Sequence, residues 1–292
     1  MCDEKTVQDN ERHLVQSGLL SRRTFGYLAA GAALTALLPR AADAFDVTEN
    51  EVNVPTPDGT ADGYFVHPAS GRHPGVIVWP DILGLRPAFR QIGKRLAESG
   101  YAVLVVNPYY RSAPAPVVPL GASFQDPSVR ETVMPLYRQL SAATHAADAR
   151  TFADFLDQQA AVDTRRKLGT TGYCMGGPIV MRAAATVPER IGAAATFHGG
   201  GLVSDEPDSP HLLIPQMQAH FLIAIAANDD EKEPQAKDVL RKDFAAAGLP
   251  AEIEVYPDTL HGWCPPDSAV YNEVQAERAW DRLLALFAAA LA

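Results

Sequence analysis

Short runs of consecutive apolar residues recur along the chain, separated by longer stretches whose apolar positions fall three or four apart. Runs of the first kind, such as Gly75-Val76-Ile77-Val78-Trp79 and Tyr101 to Val106, predict strands buried on both faces, as in a parallel sheet. Stretches of the second kind predict amphipathic helices over those faces. One spans 88–99 and stops at Gly100; another spans 144–158, with Phe152, Phe155 and Leu156 on one side. Ahead of them, 52–67 reads as a hairpin turning at Pro57-Asp58-Gly59. Beyond them the alternation continues, with strands at 167–171, 192–197, 221–226 and 252–256 and helices at 178–186, 234–247 and 270–291. The succession predicts an α/β fold: a doubly wound, mostly parallel sheet with helices on both faces. Only 107–140 breaks the rhythm. Six prolines interrupt it (Pro108, Pro114, Pro116, Pro119, Pro127, Pro135), and its length exceeds most connections in a compact domain, so it reads as a cap or substrate loop.

The first 44 residues stand outside this pattern. Ser21-Arg22-Arg23-Thr24-Phe25-Gly26 precedes a moderately apolar run from Tyr27 to Leu38 and the small-residue site Ala42-Asp43-Ala44, the layout of a twin-arginine export signal. The apolar run falls short of the roughly 20 strongly apolar residues of a membrane span. The expected organisation is a tail and signal peptide over 1–44 and a single domain over 45–292. The twin-arginine (Tat) machinery would deliver that domain to the periplasm or the medium, with no stable membrane insertion after cleavage; an uncleaved signal acting as an anchor is the alternative.

Composition narrows the partners. A net charge of -10 excludes nucleic acid and anionic lipid as main ligands, because both need a basic face. Three cysteines, Cys2, Cys174 and Cys264, make no disulfide framework and show no zinc-ligand spacing, so neither a metal nor any other cofactor is expected. A monomer acting on a small molecule is the expectation.

The chemistry centres on Gly172-Tyr173-Cys174-Met175-Gly176-Gly177, between a predicted strand and a predicted helix. A residue in so sharp a turn is forced into a strained conformation, and small residues on either side let strand and helix approach. The helix aims its free N–H groups and positive dipole end at the Cys174 sulfur, which favours thiolate. Ligands of such sheets bind beyond the carboxyl ends of the strands. The residues expected there are Asp81-Ile82-Leu83-Gly84, Asn107-Pro108, Cys174, His198, Asn228-Asp229-Asp230 and Pro257 to His261. Nucleophile, acid and histidine follow in the chain order of α/β-hydrolases: Cys174, then Asp229 or Asp230, then His261. Backbone N–H groups of Met175 and Ile82 are the expected oxyanion donors. His198 precedes the acid, so it reads as structural or substrate-facing rather than as the base.

With these residues in view, the chain from about 60 to 290 resembles the dienelactone hydrolases (carboxymethylenebutenolidases). The motifs are Trp79-Pro80-Asp81-Ile82-Leu83-Gly84-Leu85, Gly100-Tyr101-Ala102-Val103-Leu104, the Cys174 turn, Ala227-Asn228-Asp229-Asp230, and Tyr256 to Gly262. The resemblance implies a Cys174–His261–Asp229 triad acting on a lactone through an acyl-enzyme. It also implies an activating carboxylate at Asp81, where the family prototype carries Glu. The prototype's substrate-binding arginine, four residues past the histidine, corresponds to Pro265; Arg86 and Arg111 are the expected substitutes, and Trp263 is also expected to meet the substrate. Cys264, three residues past His261, raises the further expectation of a Cys174–Cys264 disulfide that would silence the enzyme. Two other readings remain open. One is a broader carboxylesterase or thioesterase on the same residues; the other is a binding or redox-sensing protein that retains the fold without turnover.

Overall fold

The computed structural model describes residues 44–292, so the expected export signal lies outside the described residues save for Ala44. An eight-stranded sheet in the order β1-β2-β4-β3-β5-β6-β7-β8 carries the chain. The first two strands, β1 (Val47–Thr56) and β2 (Gly59–Pro68), form the expected hairpin; β1 begins five residues ahead of the sequence reading, because Val47 to Glu51 pair with Tyr64 to Pro68. Strand β2 also pairs antiparallel with β4 (Ala102–Val106). All other pairings are parallel: β3 (Gly75–Trp79), β5 (Leu168–Tyr173), β6 (Ile191–Phe197), β7 (His220–Ala226) and β8 (Ala251–Tyr256). Every residue of β3, β4 and β5 is buried, which accounts for their uninterrupted apolar or small character.

Helices cover both faces. On one side α3 (Ala142–Asp157), α4 (Gly176–Thr186) and α6 (Ala236–Ala247) bring Phe152, Leu156, Ile179, Val180, Leu240 and Phe244 onto Ile77, Leu104 and Ile223. On the other, α1 (Pro87–Glu98) and α7 (Glu273–Ala290) pack Phe89, Ile92, Leu96, Trp280, Leu283 and Phe287 against Val76, Val78, Val103 and Val105. Ser141 and Thr144 close a reciprocal capping box at the start of α3.

The segment read as irregular, 107–140, contains a helix, α2 (Pro127–Tyr137). Proline density hid it. Pro127 occupies the first turn, where its missing N–H is no loss; Asp126 caps that end by accepting a hydrogen bond from Ser128 N at 2.8 Å. Pro135 falls in the last turn. Val129 and Val133, one turn apart, are buried in a third apolar cluster with Ile82, Leu83, Tyr109, Cys174 and Met175. The segment therefore caps the carboxyl ends of the central strands, as a substrate loop would.

The site's place follows from topology. Chain order reverses at β3, which has β4 on one side and β5 on the other; at such a switch point the loops leaving the strands diverge and open a crevice. Register aligns the strand ends, pairing Trp79 with Gly172, Tyr173 with Phe197, and Ala226 with Tyr256. Asp81, Cys174, His198, Asp229 and His261 all follow these ends.

Candidate active site

Cys174 sits directly after β5 with φ +53, the left-handed region that a residue with a Cβ enters only when its surroundings impose it. Its N–H donates to Phe197 O at 3.0 Å and its C=O accepts from Gly177 N at 3.0 Å, which pins the turn from both sides. Two glycines make the turn possible. A Cβ on Gly172 would lie inside contact with the carbonyl of Gly176, and one on Gly176 inside contact with the carbonyl of Trp79. Strand β5, helix α4 and strand β3 thus meet backbone to backbone beneath the sulfur, which is 3% exposed as part of Cys174.

His261 reaches the same point from the loop after β8. Its Nδ1 is 2.8 Å from Asp229 Oδ2, and the ring also hydrogen-bonds the Cys174 side chain. Burial alone would push this imidazole down; the Asp229 carboxylate and the Cys174 sulfur more than offset it, and the group is pushed up to about 10. Asp229 lies in a short helix, α5 (Ala227–Lys232), that starts directly after β7. The choice between neighbouring acids is made by geometry: Asp230 Oδ1 accepts from Lys237 Nζ at 2.6 Å, away from the histidine.

Two polar residues that the sequence reading passed over hold the acid and histidine loops together. Asn228 Oδ1 accepts from His261 N at 2.8 Å. Thr259 Oγ1 accepts from Ala227 N at 3.0 Å and donates to Tyr256 O at 2.7 Å. Asn228 belongs to a recognised motif, and its amide so close to the acid was the available signal. Thr259 gave none.

His198 is 1% exposed, has φ +42, and packs edge-on against His261 with ring centroids 5.2 Å apart. Burial and the charge on His261 push it well below its ordinary value, so it stands as a neutral ring beneath the His261 imidazole. The amide segments expected to hold an oxyanion meet at Tyr109: its hydroxyl donates to Ile82 O at 2.9 Å and lies 3.1 Å from Met175 Sδ. Ile82 is fixed further by the Asp81 turn, in which Leu83 N donates to Asp81 Oδ1 at 2.9 Å and Gly84 N to Asp81 O at 2.9 Å.

Asp81 is gripped by Arg86 in a two-pronged ion pair, Nη1 to Oδ1 at 2.6 Å and Nη2 to Oδ2 at 2.9 Å. Arg86 also donates to Asp267, Nε to Oδ2 at 2.7 Å and Nη2 to Oδ1 at 2.9 Å. Burial pushes the Asp81 carboxyl up against the pull of Arg86, and the nearby Cys174 and Asp267 add to the rise. Asp267, in the loop after His261, carried no sequence signal.

The three side chains expected to meet the substrate are engaged elsewhere. Arg86 is 6% exposed and fully committed to Asp81 and Asp267. Arg111 is held by Asp148, with Nη1 and Nη2 at 2.9 and 2.7 Å from its carboxylate, and by Asp58 at 2.8 Å. Trp263 is wholly buried, stacked on Tyr256 at 4.8 Å in the layer beneath α7. Neither Cys174 nor Cys264 is in a disulfide. The expected disulfide is not formed, for Cys264 packs against the α7 layer whereas Cys174 lies in the cap cluster, and burial pushes the Cys264 thiol well above its usual value.

Comparison with known proteins places the chain. A family model described as the dienelactone hydrolase family matches residues 61–291. A Salmonella typhi protein provisionally named a carboxymethylenebutenolidase is 29% identical over 247 residues, covering 81% of this chain and 85% of that protein. A Rhodococcus opacus carboxymethylenebutenolidase is 25% identical over 237 residues, covering 78% of this chain and 87% of that one. Among solved structures, a provisionally named dienelactone hydrolase from Klebsiella pneumoniae superposes with a TM-score of 0.71 at 26% identity, covering 83% of this chain and 99% of its own.

Proposed function

The chain belongs to the dienelactone hydrolase family and is a hydrolase of ester or lactone bonds, and on that premise we propose that it acts on a lactone or small ester through a thioester on Cys174. The observation that carries the reading is the His261 ring, bonded to Asp229 at 2.8 Å on one side and to the Cys174 side chain on the other. An imidazolium beside the sulfur stabilises a thiolate, as does the amino end of α4. The thiolate attacks the carbonyl carbon, and the carbonyl oxygen, now an anion, is held by the N–H groups of Met175 and Ile82. The C–O bond breaks as His261 gives its proton to the departing alkoxide; in a lactone that oxygen stays attached to the acyl group. His261 then takes a proton from water, the resulting hydroxide attacks the thioester, and Cys174 leaves as thiolate. Asp229 holds the ring in orientation throughout. Asp81, beside Cys174, is the group we assign to adjust the sulfur's protonation when substrate enters, a role that requires it to leave its ion pair with Arg86. We further propose, from the Arg22-Arg23 pattern, that the enzyme works outside the cytoplasm.

Hydrolysis of a dienelactone and of a small aryl ester under reducing conditions, beside Cys174→Ala, tests the reading. Both substrates are expected to turn over, with kcat falling at least about a thousandfold in the variant. Ester turnover alone would keep the mechanism and discard the lactone. Turnover equal in the variant would remove Cys174 from the chemistry.

A further inference from the structure

Arg86 has no hydrogen-bonding capacity left for a substrate. All five of its N–H donors are taken: Nη1 donates to Asp81 Oδ1 at 2.6 Å and to Gly84 O at 3.4 Å, Nη2 to Asp81 Oδ2 and Asp267 Oδ1, both at 2.9 Å, and Nε to Asp267 Oδ2 at 2.7 Å. Each acid accepts with both oxygens, the two-pronged geometry of an ionised carboxylate. One positive charge therefore faces two negative charges, and one negative charge is left over.

That excess lies beside the nucleophile. Asp81 and Arg86 are buried, so water and salt screen their charges little. The Cys174 sulfur and Asp267 both push the Asp81 carboxyl up, so the two act on the same carboxylate. The side chains packed with Cys174 in the cap cluster, among them Ile82, Leu83, Tyr109, Val129, Val133 and Met175, carry no charge to offset it.

Arg111 is matched in the same way, one guanidinium held by the two carboxylates of Asp58 and Asp148. Arg138 and Arg182 line a different cavity, which reaches Met175. There Arg182 Nη1 lies 3.4 Å from His145 Nδ1, and the guanidinium lies 3.7 Å from the Asp208 carboxylate. An acid group on a substrate would thus bring negative charge to a place where negative charge is already in excess. An uncharged acyl chain would meet apolar side chains instead.

We propose that Asp267 is a specificity-determining residue: by saturating Arg86 it leaves the surroundings of Cys174 net negative and biases the enzyme toward uncharged esters and lactones. The inference rests on the hydrolase reading for its place in catalysis and narrows it, and two measurements on the full-length protein keep the two apart. The first needs no turnover. Iodoacetamide and iodoacetate each alkylate a thiolate, the S–C bond forming as C–I breaks and iodide departs with the bonding pair, and they differ by one charge. Their rate ratio at Cys174, followed by peptide mass and divided by the ratio for free cysteine, cancels the thiolate population, which both reagents share. That ratio should favour iodoacetamide at least about tenfold, fall at least about threefold in Asp267→Asn, and be kept in Asp267→Glu. The second measurement compares mono-4-nitrophenyl glutarate with its methyl ester; kcat/KM should show the same preference for the neutral compound and the same response to both variants. The Asp267 side chain is 33% exposed, so both variants should fold; if Asp267→Asn does not, Asp267→Ser carries the same comparisons. A purely structural Asp267 would change both reagents alike and leave the ratio where it was. That result overturns the proposal, as does a wild-type preference for iodoacetate, which would give the governing charge to Arg138 and Arg182. An Asp267-dependent ratio in a protein that cleaves no ester would uphold the charge assigned to Asp267 and sink the hydrolase reading. Ester turnover with ratios indifferent to Asp267 would do the reverse.

Discussion

The position of the His261 ring is fixed mostly by its neighbours' polar atoms, and the two acids beside one another in the chain test this. Asp229 accepts from the ring; Asp230, one residue on, is tied to Lys237. Asp229→Asn should therefore lower kcat/KM for an aryl ester by at least about a hundredfold, through loss of ring orientation and of the charge that keeps the ring protonated, whereas Asp230→Asn should stay within about threefold. Equal losses would mean that the acid turn matters only as a fold element. The sequence made this arrangement legible because Cys174, Asp229 and His261, the candidate nucleophile, acid and base, each follow a strand end and appear in a recognisable order. It could not supply Asp267, whose partner Arg86 is 181 residues away, nor Arg182 and His145. The first pair depends on which loops the fold brings together and the second on which helix faces do, and a lone arginine or histidine in a helical stretch looks the same whether it faces another helix or solvent.

Among elements, the β5–α4 turn is the most constrained. Its glycines leave no room for a methyl group: the Cβ of an alanine at 176 would press on the backbone of Trp79, which cannot withdraw without opening the β3–β5 pairing. Gly176→Ala is expected to destabilise the protein by about 3 kcal/mol or more and to remove activity, because any relaxation moves Cys174. Urea denaturation with a parallel ester assay checks this; an unshifted midpoint would show that the turn is slacker than its packing implies. The strands and covering helices were predictable because burial on both faces of a parallel sheet writes continuous apolar runs, and because cover helices write a periodic stripe. Helix α2 was not, since prolines at its first turn and in its last turn resemble a loop unless their positions within the helix are known.

Across the whole molecule, buried histidines pull stability in opposite directions with pH. His145, at about 3 in the folded protein against an ordinary 6.5, binds its proton only in the unfolded chain over that interval. Stability therefore rises with pH across the window and is lost as pH falls from about 6.5 toward about 3, by about 1.4 kcal/mol per pH unit for each such histidine. His198, also pushed down, adds in the same direction. His261 has the opposite sign. Raised from 6.5 to about 10, it binds its proton preferentially in the folded state, so its contribution is complete below pH 6.5 and is lost as pH climbs toward 10. On the proposed mechanism the Cys174 sulfur gives up the proton that His261 binds, and the two partly cancel; Cys174→Ala separates them. Urea midpoints of that variant should peak near pH 6.5 and fall on both sides. The alkaline fall should end short of pH 10, because the sulfur is one of the groups that hold the ring's proton. Adding Asp229→Asn should flatten the alkaline limb and leave the His145 share of the acid limb in place, since His145 does not depend on that carboxylate; His198, held down in part by the charge on His261, should give up some of its share. An alkaline limb that survives the double substitution would assign the proton to another group, and with it the charge placed on His261 in the attack on substrate.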